Sequence, residues 1–138
     1  MKVKLHWTRL DDGEHHLWEA CPAIYTYIYR REILYVGKVD GSSTVRSRWN
    51  AADKDDLFEF LEEQGIEQHR LWVHVGEFEY DGRLTRQMVA DVESLLIAGL
   101  RPRGNIASMR SRIARPGLNV RCLGVDWPHA SNRFIDAG

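Results

Sequence analysis

Polar and apolar residues alternate from the start of the chain, with Val3, Leu5 and Trp7 set against Lys2, Lys4 and His6. That two-residue period predicts a half-buried strand. Residues 8–20 are polar and read as loop. The stretch PAIYTYIYRREILYVG then brings two β-rich runs, residues 23–29 and 33–36, around the polar Arg30-Arg31-Glu32. β-branched and aromatic side chains dominate both runs, which predicts a β-hairpin. Tyr25, Tyr27 and Tyr29 then share one face of the first strand, and Ile24 and Ile28 the other. Gly37 closes the second run, where backbone freedom or close approach is needed.

The period then changes. Gly41-Ser42-Ser43 reads as a turn, and Ser43 or Thr44 can cap a short helix through Arg46, Arg48 and Trp49. Asp53 is placed to cap a second helix over DLFEFLEEQ, with Leu57, Phe58 and Leu61 inward, its acids in water and Gly65 at its C-terminal cap. Residues 71–78 alternate as a third strand, and Asp81-Gly82 is a turn. A longer helix is predicted over residues 85–98, with Met88, Val89, Val92 and Leu96 as its apolar stripe and Glu93 beside it. Gly99 and Pro102 stop it. A short helix near 107–114, a strand near 119–123 and an irregular tail follow. The economical packing is α/β (α+β): a small central antiparallel three-stranded sheet flanked by helices, with extra terminal segments. The whole chain, 1–138, reads as one domain, with a core at about 22–106 and an Arg-rich extension at 107–138.

Composition narrows the class. At 43% hydrophobic and 28% charged residues, the chain has ordinary globular usage, which excludes a disordered or fibrous protein. The net charge of −1 excludes a globally basic nucleic-acid binder. The charge is uneven, however: residues 1–100 hold 12 basic and 18 acidic groups, residues 101–138 hold 7 and 2. The Arg-rich end is either a phosphate-seeking surface or a set of scattered solubilising arginines. No stretch approaches the ~20 apolar residues of a membrane span, and residues 1–16 lack the apolar centre of a signal peptide. Cys21 and Cys122 form no CxxC pair. The expectation is a cytoplasmic protein with free thiols and no membrane contact. His15-His16 reads as loop rather than metal site, and no phosphate-binding glycine motif is present.

Ala23-Ile24-Tyr25 and Tyr35-Val36-Gly37 lie ten residues apart, Tyr to Tyr. Lys38 follows the second triplet, Val45-Arg46-Ser47-Arg48-Trp49 follows on the next helix, Glu93 stands on a later helix in VESLLIAGLRP, and Asn105 comes shortly after Pro102. In this order the chain resembles the GIY-YIG nuclease family over roughly residues 22–106. Ala23 and Val36 depart from the triplets, the loop between Gly37 and the arginine is longer than usual, and Ala52 stands where many members carry a His or Tyr. His74 is one side chain that could fill that gap.

The resemblance implies a metal-dependent endonuclease acting on DNA, with RNA not excluded. Glu93 would hold one Mg²⁺ (or Mn²⁺), which commonly binds through one or two carboxylates plus substrate oxygens. Arg48, preferred over Arg46, would stabilise charge developing on phosphate. Tyr25 would act as base and Tyr35 as its positioning partner, or the reverse, with Lys38 alongside to help lower a phenol's pKa. Gly37, Arg46, Asn105, Arg101 and Arg103 would contact substrate, with Arg110, Arg112, Arg115 and Arg121 helping to grip phosphates. The alternatives are a binding module with the nuclease fold but no turnover, and a subunit of a repair or defence assembly. Oligomeric state and protein partners are left open.

Overall fold

The computed structural model describes residues 1–105 and 117–136. The helix expected near 107–114, and with it Arg110, Arg112 and Arg115, lies outside the described residues. Among the described residues, six strands form one sheet in the order β3-β2-β4-β1-β5-β6. They are β1 (Lys2–Arg9), β2 (Ala23–Tyr29), β3 (Glu32–Val39), β4 (Trp72–Glu79), β5 (Asn119–Leu123) and β6 (Arg133–Ile135). The α+β class holds, but the sheet has twice the strands expected. β1 pairs antiparallel with β4 and parallel with β5, with Val3 opposite Val120 and Leu5 opposite Cys122. Each of these strands alternates and is visible locally, but nothing local marks a pairing across more than a hundred residues. β6, in the supposed irregular tail, is three residues long and buries only Phe134.

Both faces of the sheet are covered at β2, which is why that strand is buried along almost its whole length. On one face Ile24, Ile28, Val36, Val3 and Val120 pack against Val89, Val92 and Leu96 of α3 (Arg86–Leu100). On the other, Tyr25, Tyr27, Val73 and Val75 cluster with Val45 and Phe58, which belong to α1 (Val45–Trp49) and α2 (Asp55–Glu63). Thr44 and Ser47 form a reciprocal capping box on α1, satisfying two otherwise orphaned backbone N–H groups. Asp53 does not cap α2. It sits in a 3₁₀ turn, Ala52–Lys54, and the helix starts after it without a side-chain cap. Thr85 caps α3 by accepting from the Met88 N–H. Gly65, at φ 83°, closes α2 where a left-handed residue is needed. Residues 8–20 carry the end of β1 and a 3₁₀ turn, His16–Glu19.

The hairpin loop is tighter than the polar run suggested. Tyr29 pairs with Glu32, so only Arg30 and Arg31 turn the chain, at φ 50° and 78°. A two-residue turn of this hand favours Asn-Gly, and an L-residue held left-handed costs roughly 1–2 kcal/mol. Among the described residues, no helix is long and apolar enough to cross a membrane.

Candidate active site

The site is built at the outer edge of β3. Tyr25 on β2 faces Gly37 on β3 across the ladder. A β-carbon at Gly37 would overlap the Tyr25 ring, so the missing side chain is what lets the phenol lie across the edge strand. Tyr27 and Tyr35 face each other two register positions along, on the same face, and the three rings cluster with centroids 5.4–6.2 Å apart, Tyr27 stacked on Tyr35 and Tyr25 tilted against both. Tyr25 is 1% exposed. Tyr35, on the open edge, is partly exposed.

The capped helix α1 brings Arg48 to this edge. Its guanidinium donates to the Asp53 carboxylate at 2.8 Å and reaches the Tyr25 phenol, where hydrogen bonding and charge favour the phenolate. Burial outweighs that pull. Desolvation, with the neighbouring Tyr35 phenol adding to it, pushes the Tyr25 pKa up. Burial, then the Glu93 carboxylate, pushes Tyr35 up. Both phenols therefore stand neutral, as hydrogen-bond donors, at ordinary pH.

From the opposite face of the sheet, α3 delivers Glu93 to the same edge. Burial pushes its carboxyl pKa up to about 7, with Lys38, Lys54 and Arg48 pulling it down and Asp40 pushing it further up. Lys38 in turn donates to Asp40 at 2.7 Å. Tyr25, Tyr35, Arg48, Glu93 and Lys38 thus come together from β2, β3, α1 and α3.

Lys54, which the sequence does not mark, lies beside the same phenols. It is 3% exposed, and its ammonium stands 5.3 Å from the Tyr35 ring centroid and 5.6 Å from that of Tyr25. Burial, then the Arg48 charge, lowers its pKa to about 8. Nothing in ADKDD marks it, because a lysine amid aspartates reads as a solvated face.

The remaining expected contacts lie elsewhere. Arg46 points away from the phenols, donating to Glu19 at 2.7 Å and to the Gly13 carbonyl at 2.6 Å. Arg103 forms a two-pronged pair with Glu32 and also donates to Gln64. Arg101 is exposed and ends α3 in a left-handed conformation. Asn105 is 2% exposed. Its amide accepts from the Val36 N–H at 2.8 Å and donates to the Val36 carbonyl at 2.9 Å. It therefore imitates a neighbouring strand and blunts the free edge of β3, positioning the site strand rather than facing substrate. His74 is buried on β4, and its electrostatic neighbours are Asp126, Arg9 and Asp11. It does not fill the gap left at Ala52, which is exposed in the 3₁₀ turn.

Comparison with known proteins finds no matching family model, no matching curated protein and no matching solved structure.

Proposed function

We propose that the protein is a metal-dependent endonuclease of the GIY-YIG type that hydrolyses DNA phosphodiester bonds at the β3 edge. The observation that carries this reading is the convergence of Tyr25, Tyr35, Arg48 and Glu93, contributed by two strands and two helices, within electrostatic reach of one another at the β3 edge. Hydrolysis of a phosphodiester needs a proton acceptor for water, positive charge at the phosphate oxygens and help for the leaving oxygen.

A divalent cation fits the donor set. Glu93 is a half-buried carboxylate whose ionised form is disfavoured by desolvation, so a bound cation would relieve it. Asp40 is a second acid within its electrostatic reach, and one or two carboxylates suffice for Mg²⁺. Bound Mg²⁺ or Mn²⁺ would supply Lewis acidity to the phosphate and the leaving oxygen. Arg48, held by Asp53, supplies a preorganised guanidinium for the charge that develops on the phosphoryl oxygens. Lys54 adds a second cation fixed by its burial. Tyr25 is assigned as base in its phenolate form: the resting neutral phenol must first release its proton to solvent before it can take one from the attacking water. Arg48 is the neighbour that opposes the effect of burial on its phenol, and Tyr35 orients the attacking water or the phosphate.

A second reading, a nucleic-acid-binding module without turnover, is favoured by the exposed Ala52 and by the depth of Tyr25. The two separate in one assay on supercoiled, single-stranded and branched DNA with Mg²⁺ or Mn²⁺. The nuclease reading expects nicking that Glu93→Ala and Arg48→Ala abolish in folded protein. It is wrong if the wild type cuts none of these substrates, or if Glu93→Ala cuts as well as wild type.

A further inference from the structure

At the turn end of the hairpin lie two adjoining concavities of about 310 and 340 Å³. They share Tyr29, Arg70 and Trp72. Trp72 is 43% exposed although it is a large aromatic in a strand. Arg9 stacks over its ring at 4.5 Å, and Arg30 over the Tyr29 ring at 5.1 Å. Arg9 is paired with Asp11. Arg30, Arg31 and Arg70 have no carboxylate within ion-pair distance among the described residues. The groove is therefore basic and aromatic, with three uncompensated guanidinium groups around an exposed indole.

The backbone adds an independent argument. Arg30 and Arg31 both sit left-handed in a two-residue turn, where Asn-Gly would fold more easily. Strained positions occupied by the wrong residue for the turn point to a use for the side chain. Here the two side chains available are cations beside a stacking surface. Each alternative ligand leaves part of this unused. A duplex offers phosphates but no free base face, and an acidic peptide offers carboxylates but nothing flat to stack.

We infer that this groove binds an unpaired nucleic-acid strand, stacking a base on Trp72 and holding the flanking phosphates with Arg30, Arg31 and Arg70. The inference builds on the nuclease reading, to which it adds a substrate class: DNA with a single-stranded stretch. Tyr29 lies four residues along β2 from Tyr25. At a strand rise of about 3.3 Å per residue, that separation is roughly 13 Å along β2.

The test is fluorescence anisotropy with a short labelled oligothymidine in EDTA, so that no cleavage is required. Trp72→Ala is expected to weaken binding roughly tenfold, as for loss of one stacked base. Arg30→Asn/Arg31→Gly is expected to weaken binding and reduce the salt slope by about 1.4, two single-strand phosphate contacts, while raising the melting temperature because the turn is relieved. This variant cannot fail merely by misfolding. An abasic oligonucleotide of equal length is expected to bind wild type no better than the intact strand binds Trp72→Ala. The inference is overturned if either variant binds as wild type does, if the abasic strand or a blunt duplex binds equally tightly, or if polyglutamate displaces the strand at matched charge. The two readings fail separately. Groove-dependent binding with no cleavage by wild type in Mg²⁺ sinks the nuclease alone. Glu93-dependent cleavage with groove-independent binding sinks the groove alone.

Discussion

Replacing Lys54 by methionine should make the protein more stable and less active. Lys54 is 3% exposed, and the pKa of its ammonium falls from 10.5 to about 8. At about 1.36 kcal/mol per unit, the charged form is penalised by about 3 kcal/mol in the fold. Its placement over the Tyr25 and Tyr35 rings returns about 1 kcal/mol as cation–π attraction. Methionine matches the length and flexibility of the lysine stem and carries no charge. The expected gain at pH 7 is therefore about 2 kcal/mol, or roughly 8 °C in the melting temperature of a chain this size. The pH dependence carries a sign. A lysine with a depressed folded pKa binds its proton more readily when unfolded, so the wild type gains stability as pH rises from about 8 towards 10.5. The variant lacks this gain, and the two curves should converge with pH. Urea titrations of both proteins at half-unit steps from pH 7 to 9.5 measure this. A variant less stable than wild type at pH 7, or a gap that does not narrow, would refute the burial argument. Nicking activity should fall at the same time, since a residue kept against the stability of the fold is expected at a working site.

Three further outcomes follow from the same edge. Glu93→Gln should abolish nicking and remove a loss of stability that the wild type shows between pH 4.5 and about 7, where the unfolded carboxyl ionises before the folded one. Its advantage above pH 7 should reach up to about 3 kcal/mol, and Mg²⁺ should raise the melting temperature of wild type but not of the variant. Gly37→Ala forces a β-carbon into the Tyr25 ring. It should cost about 1–3 kcal/mol as overpacking and abolish nicking even where calorimetry shows a folded protein. Asn105→Ala leaves the buried Val36 N–H and carbonyl without partners. A loss of about 2–4 kcal/mol is expected, together with faster amide exchange at Val36 than in the wild type.

The local elements were legible wherever one face or one cap decided them. The tyrosine period of β2, the Thr44 cap of α1 and the stripe of α3 could all be read along the chain. The size of the sheet could not, because β1 and β5 each show a strand pattern but meet only through long-range pairing. The site divides in the same way. Two phenols and a glycine on neighbouring strands are fixed by the hairpin register. The preference for Arg48 over Arg46 turned on a helical phase that the sequence gives to within one residue, and the structure puts Arg48 on the side of the phenols. The sequence places Asp53 as a helix cap, but it falls in the 3₁₀ turn before α2 and its carboxylate holds Arg48 instead. Lys54 was invisible because burial of a charge is decided by what folds over it.

The position of β1 also bears on synthesis. Once residue 79 has emerged, β1 can zip onto β4, but its other rim has no neighbour until residues 119–123 arrive. At 5–20 residues per second that interval lasts roughly 2–8 s. During it, a half-built ladder carries an open hydrogen-bonding rim, flanked by the outward Lys2, Lys4 and His6. Charges on such a rim discourage a second nascent copy from docking there, so the polar half of the first strand acts as a temporary guard before it becomes ordinary surface.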